Sequence, residues 1–76
     1  MKELREILEE LEPGVDFETE QALIDGRVLD SFTLLELIAN LEAAYDIRIS
    51  PAEVTAHNFN SMQAMWEMIK RLRKEG

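Results

Sequence analysis

Leu23-Ile24-Asp25-Gly26-Arg27-Val28-Leu29-Asp30-Ser31-Phe32-Thr33-Leu34-Leu35-Glu36-Leu37-Ile38 is where this chain passes from an irregular segment into a helical one. From Asp30 onward, Leu34, Leu37, Ile38, Leu41 and Tyr45 recur at helical spacing, with Phe32, Leu35 and Ala44 broadening the apolar face. The spacing predicts a helix that starts at Asp30 or Ser31 and ends near Tyr45. Asp30 is suited to the N-cap, and Glu36 adds negative charge in the early turns. The Ser31 hydroxyl then stands at an exposed helix start, where backbone N–H groups and the helix dipole favour a phosphate. No obvious base stands beside it to make it a catalytic nucleophile. Such a hydroxyl is better suited to being modified than to doing chemistry itself.

Upstream, Leu4, Ile7, Leu8 and Leu11 form one apolar stripe with glutamates opposite, which predicts a first helix from about Lys2 to Leu11. Glu12-Pro13-Gly14 ends it, because the residue before a proline avoids helical angles and glycine supplies the turn. Residues 13–29 make a connection of about seventeen residues, far beyond the usual few. It carries Val15, Phe17, Leu23, Ile24, Val28 and Leu29, so it should pack over the core, with a short helical turn around residues 18–23.

Downstream, Asp46-Ile47-Arg48-Ile49 alternates like a tiny strand but is short enough to read as a buried connector. Ser50-Pro51-Ala52-Glu53 has the form of a capping box with proline at the first helical position, and predicts a short third helix reaching Ala56 or His57. Asn60-Ser61-Met62-Gln63 is a second N-cap signal. It opens a last helix with Met62, Met65, Trp66, Ile69 and Leu72 inside. The expected fold is all-α: a small four-helix bundle of three main helices and one short third helix, with a long ordered loop between helices one and two.

A chain of 76 residues allows one small domain, here 1–76, and 46% hydrophobic residues is a folding composition. It has no cysteine, and therefore no disulfide, thiolate metal site or cysteine nucleophile. The N-terminus has no signal-peptide core, and no apolar run approaches a membrane span, so a cytoplasmic protein that is not membrane-embedded is expected. The formal net charge of −8 argues against nucleic acid and for partners that present Lys and Arg. Residues 1–30 hold ten acidic side chains against three basic ones. Lys70, Arg71, Arg73 and Lys74 crowd the other end, read as a cationic last turn rather than a binding patch. His57 stands alone and reads as a helix-end residue. Without a phosphate loop, metal-spaced ligands or a nucleophile paired with a base, the chain is not expected to be an enzyme.

These features together resemble the acyl carrier proteins, the phosphopantetheine-attachment domains. The resemblance centres on Asp30-Ser31-Phe32-Thr33-Leu34-Leu35-Glu36-Leu37, similar to the family's Asp-Ser-Leu and the apolar stretch with Glu-Leu that follows. It continues through Leu41-Glu42-Ala43-Ala44-Tyr45-Asp46-Ile47-Arg48-Ile49 and Asn58-Phe59-Asn60-Ser61, and spans about residues 23–69. Phe32 stands where leucine or methionine is usual, and Thr33 where fatty-acid carriers often have an acid. The lead-in Asp25-Gly26-Arg27-Val28-Leu29 looks more like the stand-alone acyl and aminoacyl carriers, D-alanyl carriers included, and the peptidyl carriers.

The resemblance implies an acyl-carrier-type bundle in which Ser31 carries a 4′-phosphopantetheine arm derived from coenzyme A, installed by a phosphopantetheinyl transferase. It implies cargo held as a thioester, a loading ligase, and a downstream transferase or synthase in a fatty-acid, polyketide, peptide or D-alanyl transfer pathway. Asp30 would serve transferase recognition as well as the cap. Glu36 and Glu42 would dock basic partner surfaces, or else belong to a solvated face. Phe32 would touch partners, or else fold under the loop. Met62 and Met65 read as core and Met68 as lying near its edge, though three methionines could also adapt around an acyl chain. A monomer is expected. The alternative is an acidic helical interaction module that is never modified.

Overall fold

α1 (Lys2–Leu11) forms on the apolar stripe. Leu4 and Leu8 are fully buried, with Ile7 and Leu11 half-buried beside them. The Glu12 N–H closes the helix on the Leu8 carbonyl, and Gly14 takes φ +93°, a value that residues with a Cβ avoid. The computed structural model describes residues 1–75, with side chains as far as Lys74. Gly76, the last residue of the single domain expected over 1–76, lies outside the described residues.

α2 (Ser31–Tyr45) begins and ends where the apolar spacing places it. Leu37 and Leu41 are fully buried, while Leu34, Ile38 and Tyr45 are half-buried. Leu35 and Ala44, expected on the inner face, are instead exposed. Phe32, Leu34, Leu35, Leu37 and Ile38 spread round most of the helix. Periodicity therefore ranks them poorly, and the position of α1, packed against α2, decides which turn inward. Asp46 ends α2 at φ 53° and ψ 51°, with its N–H on the Glu42 carbonyl. The Glu42 carboxylate then accepts the Ile49 N–H at 2.8 Å. This bond folds the connector back so that Ile47 and Ile49 are buried.

The third helix differs from expectation. Pro51–Glu53 is a 3-10 turn, and the Ser50 side chain makes no capping bond. A separate α3 (Ala56–Phe59) starts from Thr55, whose hydroxyl accepts the Asn58 N–H at 3.3 Å. The competing interaction is visible: the Glu53 carboxylate that a capping box needs is held by Arg71 at 3.1 Å and by the Asn58 amide at 3.1 Å. α4 (Met62–Glu75) is capped by the Ser61 hydroxyl, which accepts the Ala64 N–H at 3.0 Å. Met62, Met65 and Ile69 are buried, as expected, and Trp66 is half-buried against the core. Met68 is core as well, not edge, because α4 packs against both α1 and α3 and so buries a wider sector.

Between α1 and α2 the chain makes two turns in place of the helical turn expected at 18–23. Asp16 starts the first, accepting the Thr19 and Glu20 N–H groups on its carbonyl and the Glu18 N–H on its carboxylate. Together these bonds close a single turn of N-cap form that does not continue into a helix. Phe17, Leu23 and Leu29 bury their side chains, and Arg5 of α1 pairs with Glu18. Each buried apolar side chain contributes about 1.5–3 kcal/mol, so the loop is a structural layer of the bundle.

Asn60, at the α3–α4 junction, holds this layer down. Its side-chain carbonyl accepts the Ile24 and Asp25 N–H groups at 2.9 and 3.0 Å. Its amide donates to the Asp25 carboxylate at 2.8 Å, and its backbone carbonyl accepts the Leu23 N–H at 2.9 Å. Asn60→Ala removes three of these bonds and leaves two backbone donors without an acceptor. The expected loss is about 2–3 kcal/mol in urea unfolding, with faster hydrogen exchange at the Ile24 and Asp25 amides.

Candidate functional site

The loop delivers the chain to α2 through a tightly wound turn. The Gly26 N–H reaches the Ala22 carbonyl at 2.6 Å, and a Cβ on Gly26 would lie 2.6 Å from the same oxygen. Only glycine fits there without opening the turn. Arg27 follows at φ 60°, in the left-handed region. The Leu29 N–H then bonds back to the Leu23 carbonyl at 2.9 Å, which closes the loop just before Asp30.

Asp30 is the N-cap of α2: its carboxylate accepts the Thr33 N–H at 2.8 Å. Ser31 is the first residue of the helix and is exposed. Among the described residues no hydrogen bond engages its hydroxyl. The Oγ atom is therefore open to solvent. The Thr33 N–H, then the Thr33 hydroxyl and, more weakly, the Phe32 N–H hold the Asp30 carboxyl below its ordinary range.

Beyond Ser31 the exposed side of α2 is apolar. Phe32 is 64% and Leu35 69% exposed, one turn apart. Glu36 is exposed next to them, and Ala39 and Ala43 continue the open face. Glu42 is half-buried, with one carboxylate oxygen committed to Ile49. The structure thus brings Asp30, Ser31, Phe32 and Glu36 to one end and face of α2 and sets Glu42 apart. His57 is exposed on α3, and no group of three or more metal-ligating side chains exists among the described residues.

No protein-family profile matches the chain. Curated proteins do. The chain is 36% identical over 72 residues to the D-alanyl carrier protein of Streptococcus sanguinis, covering 93% of this chain and 91% of that protein. It is 33% identical over 66 residues to aminoacyl carrier protein 2 of Bradyrhizobium diazoefficiens, covering 87% of this chain and 73% of that one. The chain belongs to the acyl carrier protein family. A further carrier, the D-alanyl carrier protein of Lactobacillus delbrueckii, is 28% identical over 76 residues, covering 97% of this chain and 94% of its own.

Within this carrier fold, two residues of the site escape a reading of the sequence. The apolar spacing places Leu35 inward because α2 is apolar on too many sides. The sequence offers Asn60 as part of a helix start, although Ser61 makes that cap. An Asn-Ser pair before a helix offers two cap candidates for one position, and that redundancy was the available signal.

The Asp30 cap carries a pH signature. Its folded pKa lies below its unfolded value near 3.8. The contribution is therefore fully present above that value and is lost as pH falls through the folded pKa. In thermal melts, wild type should exceed Asp30→Ala in Tm at neutral pH, and the gap should close as the pH drops below about 4.

Proposed function

We propose that Ser31 is the attachment point of a 4′-phosphopantetheine arm, and that the protein presents an acyl or aminoacyl cargo on that arm to successive partner enzymes. The observation that carries this is the exposed Ser31 hydroxyl, with no hydrogen bond to hold it, at the first position of α2. When attached, the arm supplies a terminal thiol for thioester chemistry, which a chain without cysteine cannot provide itself.

The residues at the site fit such an arm. In the transferase complex the Ser31 Oγ forms the new bond to the β-phosphorus of coenzyme A. The phosphoanhydride bond breaks, the adenosine bisphosphate leaves, and the serine proton passes to a base of the transferase. Asp30 stays ionised at neutral pH and exposed, so its carboxylate can face the transferase's metal ion while it caps the helix. The N-terminal end of α2 then offsets the phosphodiester charge beside it. Phe32 and Leu35 offer partner enzymes an apolar contact, and Glu36 a carboxylate for a basic one. Glu42 takes a smaller share of docking, because Ile49 already holds one of its oxygens.

The relatives' names, aminoacyl and D-alanyl carrier, favour an aminoacyl cargo. A loading ligase and a downstream transferase then bracket the carrier, which in this reading catalyses nothing itself. A long flexible arm raises the effective concentration of cargo at each partner's active site.

Incubation with coenzyme A and a broad-specificity phosphopantetheinyl transferase should add one phosphopantetheinyl unit to the intact mass, and Ser31→Ala should show no addition. Failure of several such transferases to modify the wild-type chain would overturn the reading.

A further inference from the structure

α1 and α2 leave an open groove of about 630 Å³ between them. Ile7 and Leu11 of α1 and Ala43 and Ala44 of α2 line it with apolar side chains. Glu3 and Glu10 of α1 and Glu36 and Asn40 of α2 complete the lining. No Lys, Arg or His is among the residues that line it. Glu3 and Glu10 lie two turns apart on α1, about 10 Å along the axis.

We propose that this groove docks a basic amphipathic helix of a partner protein. The partner's apolar side lies on Ile7, Leu11, Ala43 and Ala44. Lysines or arginines seven residues apart on that helix meet Glu3 and Glu10, and a cation on its other flank meets Glu36. Ala43 and Ala44 are exposed and short, so a second helix can approach to an ordinary interaxial distance of about 8–10 Å. Charge complementarity selects the occupant. A nucleic acid is repelled by three carboxylates. A second copy of this chain carries the same net charge of −8, which opposes self-association, and three of the four cations of α4 already have partners. Lys70 pairs with Glu67 at 3.0 Å, Arg71 with Glu53, and the Arg73 guanidinium lies 5.9 Å from the centre of the Tyr45 ring. The groove is separate from the Phe32–Leu35 patch, and its use does not require Ser31 to be modified. Glu36 stands between the two surfaces.

The test is an amide NMR titration of the full chain, carrying Ser31→Ala, with a synthetic amphipathic Leu/Lys peptide of about four helical turns. Shifts should collect at Glu3, Ile7, Glu10, Asn40, Ala43 and Ala44, and weaken with added salt. The double variant Glu3→Gln, Glu10→Gln should raise the Kd about fivefold or more. Ala43→Arg, at an exposed position compatible with the fold, should raise it at least as much. A peptide of the same composition with its leucines scattered should bind about tenfold more weakly. Shifts centred on Phe32 and Leu35, or spread over Glu18 and Glu20 of the loop, would overturn the proposal. So would a Kd unchanged in both variants, or self-association of the chain through this groove. Because the Ser31→Ala form cannot be modified, the outcome is independent of the transferase experiment.

Discussion

The side-chain amide of Asn60 is the joint on which the placement of Ser31 depends. The segment between α1 and α2 has no ladder or helix of its own, yet its backbone groups need partners once Phe17, Leu23 and Leu29 are buried. Asn60 supplies acceptors for three successive N–H groups there, those of Leu23, Ile24 and Asp25. The Leu29-to-Leu23 bond then ties the far end of the segment to the anchored end. With both ends fixed, the start of α2 has a set position relative to α4. A residue at the α3–α4 junction therefore positions the hydroxyl at the other end of the fold's long connection.

That placement divides the surface by chemistry. The N-terminal end of α2 carries a hydroxyl, an aromatic ring and a leucine between the carboxylates of Asp30 and Glu36, with alanines beyond. The strong negative field sits on α1 and the loop, where most of the acidic side chains lie. The densest negative charge and the exposed Phe32–Leu35 patch thus lie on different parts of the surface. Charge acts at range and is screened by salt, whereas the apolar patch acts only on contact. A partner can be drawn to the molecule without crowding the position where a phosphodiester would be built.

The three long helices were legible because their apolar residues recur at helical spacing and their ends are marked: Pro13 and Gly14 after α1, Asp30 before α2, Ser61 before α4. Ser31 was legible for the same reason, since a cap fixes the register of the residue after it. What the spacing cannot show is which of several apolar sides of α2 faces inward, and Leu35 is exposed where the spacing puts it inside. Long-range polar bonds were equally hidden. Glu42 to Ile49, Glu53 to Arg71 and Asn60 to the loop each join elements whose approach no local pattern encodes. The third helix failed for that cause: a tertiary ion pair took the carboxylate that a local cap required. The spacing puts Met68 near the edge, whereas burial on α4 is set by two neighbouring helices rather than one.

Trp66 meets the Tyr45 ring edge-on, with centroids 6.0 Å apart and planes at 63°. Tyr45 closes the C-terminal end of α2, whereas Ser31 opens the other, about 20 Å away along the axis. Trp66 is the sole tryptophan, so the chain contains a built-in optical probe of whether α2 and α4 are docked. Its emission reports the end of α2 opposite to the attachment point proposed at Ser31. Folding of the unmodified and modified forms can then be followed by one signal on one scale, with no label added.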